Sequence, residues 1–583
     1  MNISARRPPS VAGLLRRTGW FAAGLGLAIV LASCTKAHYR KSADREAYKT
    51  IEQKRPRVQN ADPHFTIEQT NLISLESFPV RTNAQEFLGL DGERERGARA
   101  LNLEDALGIA VDHSRAYQSR KEQLYLSALS LTLSRHQFAP IFSSQGNVNY
   151  GGQTERGLQV VVDEVTGQPK VVVSDQLVEQ RRVGASGSVG TSWLIRDVGR
   201  ITTAMTADFL RFVTGDPRVT TSSQLSATFL RPLLRDAGFK QQTEALIQSE
   251  RQLLYDLREF TRFRKDFSVQ IATAYYSVLG LRDAVRNSSL NLESSRKNAE
   301  RTRALAKEGR VTQSDLGRLE QQELSTESAW INSIRSYKQA LDNFKIQLGI
   351  SVNENIVLDD GELEALQIRH PEISVEESIQ VALAARLDYL NTKDQFEDSV
   401  RKVDLAANFL KPRIDLGASV AVNSDPNDKT GFVLPDFDRY RWNARLNIDP
   451  GLDRKPERNV YRAALIARNR AARTIEQQED EIKLQVRDGW RTLDQAKRNY
   501  EISEISVKLA ERRVEEQNLL AELGRAKAQD QVDAQNDLIS SKNQLTQALV
   551  THTIARLQFW NNMGILYIKD KGRWEEIKNA KAQ

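Results

Sequence analysis

A chain of 583 residues with a single cysteine, 27% charged residues and a formal net charge of +7 is long enough for several domains and holds no disulfide framework. The first 33 residues carry four arginines (Arg6, Arg7, Arg16, Arg17) and no acid, so removing them takes the charge from +7 to +3 and leaves no case for nucleic acid. The six histidines (His38, His64, His113, His136, His370, His552) lack metal-ligand spacing, and no P-loop, GxGxxG after a strand or GxSxG is present, which argues against an enzyme and implies no cofactor.

In chain order, the arginines precede an apolar run, Gly19 to Ala32, that ends in Leu31-Ala32-Ser33-Cys34. A charged start, an apolar centre and a small-residue site make a secretory signal over 1–33. A cysteine directly after the small residues is the bacterial lipoprotein pattern, in which Cys34 becomes the acylated N-terminus. Thr35 follows, with no aspartate to hold a lipoprotein at the inner membrane. Residues 34–101 are mixed and highly charged, with only short amphipathic stretches. They read as a periplasmic extension running from the lipid anchor along the outside of the molecule.

A helix is expected over 102–139, and at Pro140 the period changes from helical to alternating. Barrel strands are placed within 140–232, with Phe142, Ser144, Gly146, Val148 and Tyr150 alternating first and Leu225, Ala227 and Phe229 last. Strand-like pieces near 158–176, 183–195 and 202–213 lie between, separated by turns such as Gly167-Gln168-Pro169 and Gly215-Asp216-Pro217. They read equally as an extracellular loop hairpin or as additional barrel strands. Long helices follow over 236–350, since no proline interrupts the chain between Pro232 and Pro371. The first of them would run roughly 105 Å. On the return helix Ile334, Tyr337, Leu341, Phe344 and Leu348 alternate steps of three and four, a coiled-coil seam. Residues 351–373, with Pro371, form a linker. The plan then recurs as helix 374–411, strands 412–450, long helices 457–565 and a tail, 566–583.

That recurrence is visible residue by residue. Residues 271–350 align without a gap on 486–565 at an offset of 215, setting Tyr275 on Trp490, Gly309 on Gly524, Asp315 on Asp530 and Phe344 on Phe559. Residues 102–140 align on 374–412 at an offset of 272, setting Ala110 on Ala382, Tyr117 on Tyr389 and Pro140 on Pro412. The chain is thus two copies of one long unit. Stacked end to end, helix 374–411 and a return helix such as 312–350 match the length of one long helix, so each chain offers two continuous and two composite rods.

In the second copy Ile414, Leu416, Ala418, Val420 and Val422 alternate with polar or small residues, as do Trp442, Ala444, Leu446 and Ile448. Strands of about ten residues with one apolar and one polar side suit an outer-membrane barrel with a wet lumen, the apolar residues facing lipid. A soluble sandwich edge alternates identically. The export signal, and the lack of a later apolar helix of membrane length, favour the barrel.

Over 102–565 the chain resembles the TolC family of outer-membrane efflux proteins. The likeness rests on the two-copy plan, on strands entered at Pro140 and Pro412 and left at Arg231-Pro232-Leu233-Leu234 and Asp449-Pro450-Gly451-Leu452, and on the tips Glu308-Gly309-Arg310-Val311 and Leu523-Gly524-Arg525-Ala526. The resemblance implies a mainly α fold with a membrane β-barrel part: a homotrimer whose twelve strands close one barrel in the outer membrane and whose twelve rods continue it as a helical tunnel. It implies docking through the tips (Gly309, Arg310, Gly524, Arg525) to a periplasmic membrane-fusion adaptor and, beyond that, an inner-membrane RND or ABC-type pump. It also implies a periplasmic gate at Asp530 and Asp533, with Asp315 the only match in the first copy because Arg318 takes the next position. Ala521 and Ala526 stand where some relatives have the tyrosine and arginine that tie the gate shut, so those bonds do not carry over. The competing reading is a periplasmic coiled-coil lipoprotein, an adaptor or spacer, whose strands form a soluble domain.

Overall fold

The computed structural model describes residues 35–68, 75–162, 167–214, 219–425, 434–523, 525 and 527–575. Cys34, Gly524 and the Gly215-Asp216-Pro217 turn lie outside the described residues. The chain divides into two compact units, one of residues 1–129, 253–393 and 473–583, the other of 130–252 and 394–472.

The elements begin with α1 (Lys36–Lys54), the short α2 (Leu90–Glu95) and β1 (Arg99–Leu101). Next come α3 (Leu103–His113), α4 (Arg115–His136), then four strands, β2 (Ile141–Val162), β3 (Pro169–Ile195), β4 (Gly199–Phe212) and β5 (Val219–Pro232). The long α5 (Phe239–Lys307) and its return α6 (Gln313–Leu348) are followed by β6 (Ile356–Leu358) and the single turn α7 (Gly361–Glu364). The second copy supplies α8 (Val375–Ala385), α9 (Leu387–Asn408), β7 (Arg413–Asn423), β8 (Tyr440–Asp449), α10 (Lys455–Glu522) and α11 (Ala528–Asn562), before two short strands, β9 (Tyr567–Ile568) and β10 (Trp574–Glu575).

The two sequence offsets recur in the backbone. Adding 272 to the bounds of α3 and α4 gives those of α8 and α9. The helix ends repeat bond for bond at an offset of 215. At the end of α6 the Gly349 and Ile350 amides donate to Ile346 and Lys345, and at the end of α11 those of Gly564 and Ile565 donate to Asn561 and Trp560. Gly349 and Gly564 have φ of 82° and 76°, the left-handed conformation that closes a helix and that glycine adopts without strain.

The structure differs from the sequence reading at the first helix of each copy. Instead of one helix over 102–139 and one over 374–411, each is broken, at Ser114 and at Arg386, both with extended backbone. Neither residue is a helix breaker, and the cause is tertiary. A Cβ on Gly349 would lie 2.1 Å from the His113 carbonyl oxygen, and one on Gly564 would lie 3.3 Å from that of Ala385. The end of each return helix therefore sits in the kink of its copy's first helix. Caps fix the start of each copy's first helix: Asn102 accepts from the Asp105 amide, and Ser374 forms a reciprocal box with Glu377.

Around these kinks lies the core of the first unit. In the second copy Ile379, Ala382, Tyr389, Ile482, Val486, Leu493, Phe559 and Met563 pack as one buried cluster. Their offset partners, Leu107, Ala110, Tyr117, Phe267, Ile271, Val278, Phe344 and Leu348, are all buried too. Large apolar side chains at three- and four-residue steps on long helices hold the seam by removing their area from water.

In the second unit β2, β3, β4, β5, β7 and β8 form one antiparallel sheet in that order. That is six strands from one chain, where the twelve-stranded trimer implied by the family resemblance needs four. The pieces at 183–195 and 202–213 belong to β3 and β4, fully paired between β2 and β5. Residues 158–162 and 169–173 pair as the distal part of the β2–β3 hairpin.

Candidate functional site

Residues opposite one another across antiparallel strands point to the same side of a sheet, so the register sorts the six strands into two faces. One row runs Trp193, Ile201, Phe229, Ala418, Ala444. Another on the same side runs Phe142, Thr191, Thr203, Ala227, Val420, Trp442. Ile414 pairs with Ile448 and Leu416 with Leu446 on this side as well. The opposite side carries the row Gln145, Ser188, Thr206, Gln224, Asn423 and the row Ser192, Thr202, Thr228, Ser419, Asn443. On that polar side the Gln224 amide donates to the Asn423 carbonyl at 2.8 Å. The apolar side is open: Phe142 is 77% exposed and Trp442 71%. An apolar face this wide, left to water, marks a surface that something apolar covers.

The edges are equally informative. β2 and β8 end the sheet and do not pair with each other. All ten residues of β8 and the first ten of β2 are exposed. Their unpaired amides and carbonyls cannot remain so in lipid, where each costs several kcal/mol.

At the far ends of the long helices, Gly309 (φ 72°) closes α5, with its amide on Ala306 and that of Arg310 on Leu305. The second tip repeats the bond, Arg525 donating to Leu520 at 2.8 Å. Arg310 and Arg525 are both exposed, Arg310 with Glu308 at 3.8 Å. Asp530 is exposed in the first turn of α11, and the half-buried Asp533 accepts from Gln529 at 2.8 Å. Asp315 is different: its amide donates to the Thr312 hydroxyl at 3.1 Å, and that hydroxyl donates back to its carboxylate at 2.6 Å. It serves as the third residue of a helix cap.

Sequence reasoning missed a buried charge cluster in the first unit. Arg282, 1% exposed, holds Glu95 through two bonds of 2.8 and 2.9 Å, the Tyr337 hydroxyl at 2.6 Å and Asp360 at 2.9 Å. Burial pulls the guanidinium's pKa down, but these partners more than reverse it and leave it above the ordinary arginine value. Phe87 lies 5.4 Å over the same guanidinium, and the Trp330 indole donates to the Phe87 carbonyl at 2.8 Å. β1 pairs in parallel with β6 beside it. The extension 75–101 and the linker 351–364 are thereby clamped onto α5 and α6, giving the extension a structural role that its composition does not reveal.

The offset partners of Arg282 and Tyr337 are Lys497 and His552. His552 is fully buried, and its ring lies 6.5 Å from that of His370, itself 5.2 Å from Trp490. Burial, then Arg556, His370 and Lys497, bring the His552 pKa down to about 4. Two histidines from distant positions thus meet, but among the described residues no group of three or more candidate metal ligands forms.

No family model matches the chain and no curated protein is similar to it. Solved structures are. A membrane protein from Pseudomonas aeruginosa matches with a TM-score of 0.58 at 14% identity, covering 87% of this chain and 100% of that one. The CmeC outer-membrane channel of Campylobacter jejuni matches with a TM-score of 0.56 at 12% identity over 89% of this chain and 96% of that one. The open state of the MtrE outer-membrane channel of Neisseria gonorrhoeae gives 0.55 at 11%, covering 88% and 95%. The chain has the TolC-like channel fold. Among the described residues no helix is long and apolar enough to cross a membrane.

Proposed function

We propose that this protein is an outer-membrane channel of the TolC family, the outlet of a tripartite efflux or type I secretion system. Copies of the chain join β8 of one to β2 of the next, and three copies close a barrel. The apolar face then meets lipid through Ile414, Leu416, Val420, Trp442 and Leu446, and the polar face lines a wet lumen. Acylated Cys34 anchors the chain in the outer membrane, and the long helices continue the duct into the periplasm. Flow is passive, driven by an inner-membrane pump reached through a periplasmic adaptor at the Gly309-Arg310 and Gly524-Arg525 tips. Asp530 and Asp533, repeated around the axis, form two stacked carboxylate rings that attract and are blocked by cations. Asp315 contributes less, since its carboxylate is engaged in capping.

The observation that carries this reading is the six-stranded sheet with one continuous apolar face and two unpaired edges. A spacer protein has no use for such a face. The test is extraction of the mature protein from membranes. Heat-modifiable, detergent-dependent trimers are expected, and they persist in Cys34→Ser because the sheet itself holds the membrane. A Cys34→Ser protein that is monomeric and soluble without detergent would establish the periplasmic spacer instead.

A further inference from the structure

Among the described residues the hairpin β3–β4 has no counterpart in the second copy, where β7 and β8 are direct neighbours in the sheet. It is also placed differently from a loop lying outside a barrel. Fourteen register pairs join β3 to β4 and twelve join β4 to β5, so the hairpin separates β2 from β5 along the paired length. Its turn is at the end of the sheet where the helices attach. The Trp193 indole there donates to the Phe138 carbonyl at 3.2 Å, the Arg196 guanidinium lies 5.3 Å over the Phe138 ring, and the Asp197 amide donates to Gln242 on α5 at 3.1 Å. The alternation of the two faces also continues across it without a break, with Val189, Met205 and Leu225 on the apolar side and Ser188, Thr206 and Gln224 on the polar side. Every local feature fits two staves of a wall.

Resting on the channel reading above, we infer that each copy contributes six staves, so three copies close an eighteen-stranded barrel (three times six) rather than a twelve-stranded one. Barrel diameter grows roughly linearly with strand number, and barrels of about 16–18 strands enclose an open aqueous channel. The added hairpins widen the bore about 1.5-fold. The outer-membrane portion therefore does not set the size limit of this duct, and the lumen accepts bulky hydrated cargo. The hydroxyl and amide rows of the polar face, with Arg441, Arg445 and Asp415 on the same side, suit cargo that stays solvated in transit. Size selection is left to the helical part.

The test uses the intact protein in lipid nanodiscs, imaged by electron cryomicroscopy to count strands around the barrel. Eighteen strands, with β3 and β4 in the wall, are expected. Twelve, with the hairpin folded outside, would overturn the inference while leaving the channel intact. An assembly with no closed barrel would overturn both. A second measurement adds polyethylene glycols of graded size to the barrel side of single channels in planar bilayers. Deleting 169–212, which leaves β2 and β5 as one hairpin, should lower the largest polymer that enters the lumen. An unchanged cut-off in a deletion variant that still conducts would contradict the inference. If that variant does not assemble, the strand count of the intact protein decides alone.

Discussion

The two copies solve the same packing problem with different chemistry at one level of the long helices. In the first copy Arg282 and Tyr337 meet Glu95 and Asp360 in a buried network whose charges face opposite charges. In the second copy the same two positions are Lys497 and His552, and the space beside them is filled by His370 and Trp490. The first arrangement binds additional chain, residues 75–101, to the helices. The second packs buried imidazole and indole rings, with the cations Lys497 and Arg556 close to His552. Duplication thus preserved the apolar seam, where shape is all that matters, and let the polar positions diverge according to what each copy has to hold.

The largest effect is expected from breaking the first of these arrangements. Arg282→Ala leaves Glu95 and Asp360 without their main buried partner and should cost roughly 3–5 kcal/mol. Thermal unfolding would show it, together with early protease cleavage within 75–101. A loss below about 1 kcal/mol would mean the cluster behaves like a surface ion pair.

Next come the glycines in the kinks, which separate the copies in the opposite sense to their similarity. Gly349→Ala combines a left-handed backbone, costing about 1–3 kcal/mol, with overpacking against His113, about 1–3 kcal/mol more. Gly564→Ala carries the same backbone cost, but its nearest contacts lie at 3.2 and 3.3 Å. Parallel melts should therefore rank Gly349→Ala as the more damaging, and the reverse order would contradict the contacts described.

The histidine level predicts a pH dependence. With its folded-state pKa depressed to about 4 against an ordinary 6.5, His552 adds no penalty above pH 6.5. Below that the unfolded chain takes up a proton that the folded one refuses, so stability falls as pH drops from about 6.5 to about 4. The loss is on the order of 3 kcal/mol. His552→Gln should flatten this part of the stability curve, whereas Arg282 variants should not. Equal acid sensitivity in both would place the effect elsewhere.

The smallest expected effect separates the two tips. Asp315→Ala removes the carboxylate that the Thr312 cap holds at the helix start and should cost about 0.3–1 kcal/mol, measured by unfolding, while leaving conductance nearly unchanged. Asp530→Ala should do the opposite.

Much of this architecture is written locally. Long stretches without proline, glycine at each helix reversal, and alternation over 414–422 and 442–448 all act through neighbours in sequence. The breaks at Ser114 and Arg386 were not legible because Gly349 and Gly564, far along the chain, impose them. Nor was the clamp, since Glu95 and Arg282 are 187 residues apart and neither sits in a motif. β3 was ambiguous for another reason. Its run Gly184 to Ser192 is rich in glycine and serine, so its alternation is shallow until the register with β2 and β4 assigns each residue a face. Of the candidate site, Asp315 shows how a residue that matches by position can be occupied by a local task.

On the proposed function, these chains assemble into a gated aqueous duct. Single-channel recording of the purified mature protein in planar bilayers, beside Asp530→Ala/Asp533→Ala, tests it most directly. The expected result is a small, cation-selective conductance that rises, or loses its block by divalent cations, in the double variant. Well-folded oligomers of both forms that pass no current would contradict it.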